Sequence, residues 1–495
     1  MTLDAMTVRA PSPLDLGIKS LIVKRDVVPV TLLEEEGFSA RHLNTTYCGR
    51  HKKFTLYDSL ENYRNFEERL RDFLGAGGSQ WQKLRFYIEK HKPKVLLIDP
   101  VGFPSFSATR KVAEIVKKMN PETKVGVFSE EDSHISISST PVYSFFLKDE
   151  NIDFVIKGDA EKKIVETVKN ILFGESLSDV SGLAIRERGR IKTTENSNRI
   201  TNLNDLPVPD MNLVIEKDKH PPIAFTWIKE SRGCKYNCSF CSSGKPFKLR
   251  SPENVIKEIE YMYNEFGTRE FNFQGSSFLH NKNWTKRFCK LLRESEAKIM
   301  FSCRSNVDQL DGDILDLLSS LGCFSILTGI ESGSKKILQE MKKPQNVNQI
   351  QEKEVVEKCR SVKDRGINLS TGWVMGYPSE TKEDLKDTIN LLKKVNPDFF
   401  RPQFLVPIPK TELYSKLKKQ GLIKDQKFDK YLHSEINVKT EIEEGFLRKV
   451  WKKYARISDI KAKKELLRRY ARPRNIYLKG QEYKKFILER LKPCL

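Results

Sequence analysis

Short apolar runs alternate with amphipathic segments from about residue 92 onwards, and this alternation predicts the fold of the first half of the chain. Three runs, Lys94–Asp99, Lys124–Phe128 and Ile152–Ile156, are continuous and short, as expected for buried strands. Segments with helical periodicity cover Ser107–Met119 and Glu161–Leu172. Buried strands separated by helices predict an α/β, Rossmann-like parallel sheet that binds ligands at the carboxyl ends of its strands. The pattern leaves the nature of the ligand open.

The same alternation recurs six times between Pro221 and about Thr411. Six strands that alternate with helices predict a partial (β/α)6 barrel of the TIM type, with its site at the carboxyl ends of the strands. The predicted strands are Ile223–Ile228, Glu270–Gln274, Lys298–Cys303, Phe324–Gly329, Leu369–Met375 and Phe400–Val406. The predicted helices are Pro252–Phe266, Trp284–Glu294, Gly312–Leu321, Ser334–Met341, Gln351–Arg365 and Glu380–Lys394.

The two ends of the chain are harder to interpret. Leu16–Gly37 contains an apolar run and a helix that ends at glycine, and Phe54–Phe73 is predicted to be an amphipathic helix. After Thr411 the chain becomes helical and basic. One apolar helix face is formed by Phe446, Val450, Tyr454 and Ile457. We therefore predict three regions: 1–210, with the Rossmann-like domain clearest over 92–200, a barrel at 215–411, and a basic helical domain at 412–495.

Charge changes the interpretation of the last region. The chain carries a net charge of +21, and residues 448–492 hold 17 Lys and Arg against 4 Asp and Glu, or +13. Basic side chains interleaved with aromatic ones could bind nucleic acid or an anionic membrane surface. A solvated helical cap over the barrel explains the same pattern. The aromatic residues in question are Trp451, Tyr454, Tyr470, Tyr477 and Tyr483.

Length and cysteine usage set further bounds. A chain of 495 residues is long enough for two to four domains. It has no apolar run of about 18 residues, as a membrane span would need, and its N-terminus lacks a signal pattern. Its nine cysteines do not form a disulfide framework. We expect a cytoplasmic protein in a reducing compartment.

Three of the cysteines form the clearest chemical motif. Cys234, Cys238 and Cys241 follow directly after the first predicted barrel strand with the spacing C-x3-C-x2-C. Soft thiolates at this spacing select an iron–sulfur cluster, zinc or copper(I). An iron–sulfur cube normally takes four thiolates, so three would leave one iron open. A structural zinc knuckle is the alternative, although no fourth Cys or His follows at short spacing.

Together with Phe240 in C-x3-C-x-aromatic-C, these cysteines resemble the loop of the radical S-adenosylmethionine (radical SAM) superfamily. The resemblance extends over residues 90 to 410. It implies that the three thiolates hold a [4Fe–4S] cluster whose open iron is chelated by S-adenosylmethionine. The strand ends that follow are similar to the family's S-adenosylmethionine motifs, including Gly-x-Glu-Ser-Gly-Ser at residues 329–334. The contacts implied are Phe240, Gln274, Gly275, Ser276, Arg304, Glu331, Ser332 and Gly376.

The block before the barrel is similar to the cobalamin-binding domain of one radical SAM subclass. The similarity rests on residues 158–161, 181–186 and 203–210. The family's Gly-Gly-Pro-His loop is replaced here by residues 129–134, and the Asp-x-His-x-x-Gly pattern of other cobalamin enzymes is broken by Ile137. The cobalamin contacts implied are Val101, Gly102, Ser105, Ser129, His134, Gly158 and Glu161.

The resemblance implies a cobalamin-dependent radical SAM methyltransferase that acts on an unactivated carbon through a 5′-deoxyadenosyl radical and methylcobalamin. A small-molecule or peptide substrate and an electron donor such as flavodoxin or ferredoxin are the expected partners. Radical oxidation, cyclisation or rearrangement without methylation is one alternative. RNA-directed modification and a non-catalytic cobalamin or redox sensor are the others.

Overall fold

Two mainly parallel sheets succeed each other along the chain in a computed structural model. It describes residues 2–10, 27–44, 79–100, 102–129, 137–195, 200–215, 225–243, 246–344, 351–424, 428, 431 and 433–471. The predicted helix Phe54–Phe73 lies outside the described residues, as do Val101, His134, Tyr477 and Tyr483. In the described part of the chain, no helix is long and apolar enough to cross a membrane.

The first sheet has seven strands in the order β2-β1-β3-β4-β5-β6-β7. Strands β1 to β5 are parallel, and β6 and β7 form an antiparallel hairpin at one edge. The strands are β1 (Ala5–Ala10), β2 (Ala40–Asn44), β3 (Val95–Pro100), β4 (Lys124–Val127), β5 (Phe154–Ile156), β6 (Leu183–Glu187) and β7 (Arg190–Thr193). The helices are α1 (Val28–Glu35), α2 (Ser79–His91), α3 (Phe106–Met119), α4 (Thr140–Leu147) and α5 (Glu161–Phe173).

This sheet confirms the Rossmann-like prediction and enlarges it. The three strands expected from the apolar runs are β3, β4 and β5. The N-terminal region adds two strands that the periodicity left unassigned, β1 and β2, and α1, the helix that was predicted to end at Gly37. Helix α1 ends just before Gly37, whose φ of +86° is the left-handed conformation that favours glycine.

The second sheet consists of six parallel strands in the order β15-β14-β13-β12-β11-β8. It is a partial barrel because β8 and β15 are its two edges, which confirms the predicted (β/α)6 architecture. The strands are β8 (Phe225–Ile228), β11 (Glu270–Phe273), β12 (Met300–Ser305), β13 (Cys323–Glu331), β14 (Asn368–Met375) and β15 (Phe399–Phe404). The helices are α6 (Pro252–Phe266), α7 (Lys282–Glu294), α8 (Gly312–Ser320), α9 (Lys335–Glu340), α10 (Glu352–Asp364) and α11 (Lys382–Val395).

Alternation along the barrel strands separates a hydrophobic outer layer from a polar inner face. Phe271 and Phe273 of β11 lie in the core, and the ring of Phe273 packs edge-on against Phe288 of α7 at a centroid distance of 5.5 Å. Asn272 lies between them in sequence and so faces the other way, donating to Ser302 Oγ at 2.7 Å. The inner face therefore suits a polar ligand.

The described residues after the barrel include the helices α12 (Glu412–Lys419) and α13 (Glu444–Ala471). Helix α13 covers the edge strand β15: Trp451 Nε1 donates to Pro402 O at 2.9 Å, and Ser458 Oγ donates to Phe400 O. The predicted apolar face is partly wrong, because Phe446 is exposed and Leu447 is buried instead. Trp451 and Tyr454 are buried against the barrel, so they are not available to stack on nucleic acid bases.

We predict that replacing Trp451 by Ala destabilises the protein by about 3–5 kcal/mol, because the change opens a cavity and leaves the Pro402 carbonyl without its donor. Replacing the neighbouring, exposed Lys452 by Ala should change stability by less than about 0.5 kcal/mol. Denaturant unfolding of the two variants checks this. Equal stabilities would contradict a structural role for α13.

Residues after the barrel also contact the first sheet. Phe428 stacks on Phe103 at a centroid distance of 5.7 Å, and Tyr431 meets Phe103 edge-on at 5.4 Å. Phe103 follows β3 at the carboxyl edge of the first sheet. The post-barrel segment therefore packs on both sheets and helps to fix their relative position.

Candidate active site

The three-cysteine loop begins just beyond the carboxyl end of β8. A two-stranded ribbon closes its base, where β9 (Ser231–Arg232) pairs with β10 (Lys248–Leu249) in antiparallel register. Gly233 has a φ of +73°, a left-handed conformation that favours glycine at the turn into the cysteines. The loop thus lies at the mouth of the barrel, as the sequence predicts.

Hydrogen bonds and one aromatic side chain hold the loop against the barrel. The amide of Ser239 donates to Met341 O at 2.9 Å, and its hydroxyl donates to Glu340 O at 2.8 Å. Phe240 packs on a hydrophobic cluster that includes Tyr377 and Leu413. The aromatic position of the motif therefore anchors the loop, and its predicted contact with S-adenosylmethionine stays a prediction.

The three thiols are half-buried and lie within electrostatic reach of one another. Burial raises the pKa of Cys234, and it raises the pKa of Cys238 to about 11. Among the described residues, no three His, Cys, Asp or Glu side chains are placed to hold a single metal ion. The donor set itself fits an iron–sulfur cluster, because it offers three soft ligands on one loop.

Lys343 is a buried cation beside these thiols that the sequence reasoning missed. Its side chain is 4% exposed, and Nζ lies 3.3 Å from Glu331 Oε1. Burial opposes its positive charge, but Glu331 and the thiols of Cys238 and Cys241 outweigh that effect, so the pKa of Lys343 is raised. The same cation lowers the cost of ionising Cys238.

Glu331 reaches this position through an irregularity in its strand. The register of β13 against β14 shifts between Gly329 and Glu331, and Glu331 has a φ of +68°. A Cβ at Gly329 would collide with the Glu331 carboxylate. Glycine at 329 therefore makes room for Glu331.

The ends of β11 and β12 meet beside the loop. Arg304 donates to Gln274 Oε1, and Gln274 in turn donates to Asn272. Ser276 Oγ donates to Gly233 O, and the Ser276 side chain lies close enough to Cys234 to oppose part of the rise in the pKa of its thiol. The structure thus brings the predicted residues Gln274, Ser276 and Arg304 together at the mouth.

Gly275 belongs to the same strand end and packs closely on the chain before the cysteines. Its amide donates to Glu230 Oε2 at 3.0 Å, and a Cβ would collide with the side chains of Glu230 and Ser231. Burial raises the pKa of Glu230 to about 7. Gly275 therefore allows the end of β11 to pack closely against the residues that precede the cysteine loop.

Two residues predicted to contact S-adenosylmethionine, Ser332 and Gly376, form hydrogen bonds within the protein. Ser332 is fully buried, and its hydroxyl bonds Thr388 Oγ1 at 2.9 Å and accepts from the amide of Ser334 at 3.1 Å. The hydroxyl therefore packs against α11, and the contact of Ser332 with S-adenosylmethionine stays a prediction. Gly376 has a φ of +73°, and its amide donates to Glu380 Oε2 at 2.7 Å, so this glycine is needed for the turn itself. Burial raises the pKa of Glu380 to about 8.

Three turns at the carboxyl edge of the first sheet contain the described residues predicted to contact cobalamin. Gly102 and Ser105 follow β3, and Ser105 Oγ donates to Gly102 O at 2.7 Å, so this hydroxyl caps its own turn. Ser129 follows β4; it is buried, and its hydroxyl has no hydrogen-bond partner among the described residues. Gly158 follows β5 with a φ of +77°. An unsatisfied buried hydroxyl at this edge fits a ligand site.

The side chain of Glu161, at the carboxyl edge of the first sheet, is directed toward the base of the cysteine loop. Its carboxylate forms a salt bridge with Arg232, which also pairs with Asp159 at 3.0 Å. All three side chains are buried, and Lys248 adds a second cation 3.4 Å from Asp159. The Gly-Asp-Ala-Glu turn therefore joins the first sheet to the base of the cysteine loop, while its contact with cobalamin stays a prediction.

Arg232 and Lys343 were missed in the sequence analysis, because neither the burial of a side chain nor its ion-pair partner can be read from the sequence. Arg232 adjoins the cysteine motif, so its position in the sequence is a signal, but its acidic partners lie more than 70 residues away. Lys343 has no comparable signal, because it is one lysine in a Lys-rich segment.

Comparison with known proteins agrees with this geometry. Residues 228–392 match the family described as the radical SAM superfamily. An uncharacterized methyltransferase of Pyrococcus horikoshii is 27% identical over 285 residues, which are 57% of this chain and 61% of that protein. An anaerobic magnesium-protoporphyrin IX monomethyl ester cyclase of Rubrivivax gelatinosus is 25% identical over 345 residues, 66% of this chain and 59% of that protein. The chain thus spans about three fifths of these relatives.

A solved structure resembles nearly the whole chain. The cobalamin-dependent S-adenosylmethionine radical enzyme OxsB, with aqua-cobalamin and S-adenosylmethionine bound, superimposes with a TM-score of 0.67. The alignment covers 99% of this chain and 72% of OxsB at 14% sequence identity. At this identity the likeness shows the fold, in which a Rossmann-like sheet precedes a partial barrel.

Proposed function

We propose, on the premise that residues 228–392 form a radical SAM domain, that the protein is a cobalamin-dependent radical SAM enzyme that methylates an unactivated carbon. One observation carries the proposal. The three-thiol loop at the barrel mouth adjoins the carboxyl edge of a Rossmann-like sheet, and buried ion pairs between Arg232 and both Asp159 and Glu161 join the two. The two predicted cofactor sites are therefore neighbours.

In this proposal Cys234, Cys238 and Cys241 ligate a [4Fe–4S] cluster, and S-adenosylmethionine occupies the remaining iron. Arg304 offers a guanidinium for its carboxylate, and Gln274 and Ser276 offer polar groups beside it. Lys343 adds a second buried cation next to the thiols. Such cations favour thiolates over thiols and so favour cluster assembly.

Cobalamin is assigned to the carboxyl edge of the first sheet, at Gly102, Ser129 and Gly158. When bound, the reduced cluster supplies the electron for radical cleavage of S-adenosylmethionine, and cobalamin supplies the methyl group. The protein's part is to orient the reactants and exclude water. Its electron donor, for example a flavodoxin or a ferredoxin, is a further proposal.

We predict that Ser129→Ala weakens cobalamin binding by about 5- to 10-fold, the equivalent of one hydrogen bond, without destabilising the apo-protein. The hydroxyl has no partner among the described residues, so its loss should leave the folded apo-protein unchanged or slightly more stable. Titration with hydroxocobalamin followed by absorbance measures the first effect, and thermal unfolding measures the second. Unchanged affinity would remove Ser129 from the site.

Anaerobic reconstitution with iron, sulfide and hydroxocobalamin tests the cofactor assignment. We expect a corrinoid absorption spectrum and a reduced cluster whose electron paramagnetic resonance signal shifts when S-adenosylmethionine is added, because the cofactor coordinates the open iron. A signal that does not respond to S-adenosylmethionine would contradict the proposed coordination.

Radical chemistry without methyl transfer is the second candidate function, because one relative is named as a cyclase. S-adenosylmethionine with a labelled methyl group separates the two candidates. A product without the label favours oxidation, cyclisation or rearrangement. RNA modification loses support, because Trp451 and Tyr454, two of the aromatic side chains expected to stack on bases, are buried.

A further inference from the structure

Three buried charged side chains and a half-buried lysine form a cluster between the first sheet and the cysteine loop. The cations are Arg232 and Lys248 from the ribbon at the base of the loop, and the anions are Asp159 and Glu161 from the turn after β5. Arg232 is 7% exposed, and the two carboxylate residues are each 5% exposed. The cluster is neutral as a whole, so its charges are balanced only while the two parts stay docked.

The cluster lies close to the proposed cobalamin edge on one side. The amide of Gly158, next to Asp159, donates to the hydroxyl of Ser138, which lies between β4 and α4, at 2.8 Å. Asp159 Oδ2 also accepts from the amide of Ile200 at 3.1 Å. The turn at residues 158–161 is therefore fixed to the neighbouring turns of the carboxyl edge.

The same cluster lies close to the cysteines on the other side. Arg232 is two residues before Cys234, and the intervening Gly233 carbonyl accepts a hydrogen bond from Ser276 Oγ. The Ser276 side chain also lies beside Cys234. A displacement of Arg232 would move Gly233 and so change both the position and the accessibility of the first thiol.

We propose that this cluster couples the two sites, with Arg232 and Glu161 as positioning residues, so that ligand binding at the Rossmann-like edge orders the cysteine loop. The inference rests on the proposed function for the identity of that ligand as cobalamin. A buried ion-pair cluster suits the task, because solvent cannot replace a lost partner and one docked arrangement is favoured. Edge residues that close on a corrin ring would hold Arg232, and Arg232 would hold the loop.

The test uses full-length apo-protein prepared without oxygen. N-ethylmaleimide labels Cys234, Cys238 and Cys241, and mass spectrometry follows the rate at each cysteine with and without hydroxocobalamin. We expect cobalamin to slow labelling about fivefold or more in the wild type, the range of a modest allosteric coupling. In Glu161→Gln, which keeps the shape but removes the charge, the slowing should fall below about twofold.

Glu258→Gln is the matched control. It breaks another buried ion pair next to the same loop, between Arg250 and Glu258 at 2.6 Å, that does not reach the first sheet. We expect this variant to keep the protection seen in the wild type. Arg232→Lys retains the charge but loses the two-sided guanidinium contact, and it provides a second, milder variant should Glu161→Gln unfold.

Absorbance measures cobalamin binding separately in each variant, which distinguishes the two possible failures. Equal protection in wild type and Glu161→Gln, with cobalamin bound to both, overturns the coupling and leaves the proposed function standing. Loss of cobalamin binding in Glu161→Gln overturns it too, since Glu161 would then contact the ligand. A wild type that binds no cobalamin overturns both proposals.

Discussion

Replacing any one of Cys234, Cys238 and Cys241 by Ala is expected to abolish cluster binding and cleavage of S-adenosylmethionine. Mutation of a residue that only hydrogen-bonds to a metal ligand typically lowers metal affinity or activity by about 10- to 100-fold. Loss of a direct ligand should therefore reduce cleavage of S-adenosylmethionine by about 100-fold or more. The loop has no other cysteine to replace the missing one. Iron and sulfide analysis, with 5′-deoxyadenosine as the product assayed, checks this.

Cys359→Ala is the matched control, because Cys359 is buried in α10, away from the loop. It should keep the wild-type iron content. A cluster retained in a loop variant would show that the loop is not the ligand site.

Burial raises the pKa of Cys238 to about 11, so the apo-protein holds a thiol there at neutral pH. Cluster assembly must therefore release a proton and should become more complete as the pH rises.

Replacing Lys343 by Met should have the second largest effect. The change leaves Glu331 buried beside an apolar side chain, and breaking a buried ion pair in this way costs about 3–5 kcal/mol. It also removes the cation next to Cys238 and Cys241, so we expect the variant to retain less iron. Unfolding of the apo-protein measures the first effect, and iron content after reconstitution measures the second.

The double variant Lys343→Met with Glu331→Gln separates the two roles of Lys343. With no unpaired charge left, most of the stability should return. Iron retention should stay low, because the cation beside the thiols is still missing. Recovery of both properties would show that Lys343 serves only to neutralise Glu331.

The repeating elements could be predicted from the sequence because their periodicity is local. Helix α6 occupies the predicted range Pro252–Phe266, and each of the six barrel strands lies within about two residues of its predicted position. The cysteine loop follows from the same logic, since the end of β8 determines where the loop emerges. Strands β1 and β2 were missed because polar residues, among them Arg9 and His42, interrupt their apolar pattern.

The site's supporting residues could not be predicted, because their roles depend on contacts between distant segments. Glu161 was expected at the cobalamin edge, but its carboxylate pairs with Arg232, 71 residues further along the chain. Ser332 belongs to a motif that resembles a cofactor contact, yet its hydroxyl is used by Thr388 of α11. The basic helix α13 was compatible with nucleic acid binding until the burial of Trp451 assigned its apolar side to β15.

The most direct test of the whole account is a single product analysis. Protein reconstituted anaerobically with iron, sulfide and hydroxocobalamin is reduced with dithionite, incubated with S-adenosylmethionine and analysed by mass spectrometry. The account predicts both 5′-deoxyadenosine and S-adenosylhomocysteine, each above the level of the Cys234→Ala variant, and S-adenosylhomocysteine only when cobalamin is present. Formation of neither product above that variant would contradict it.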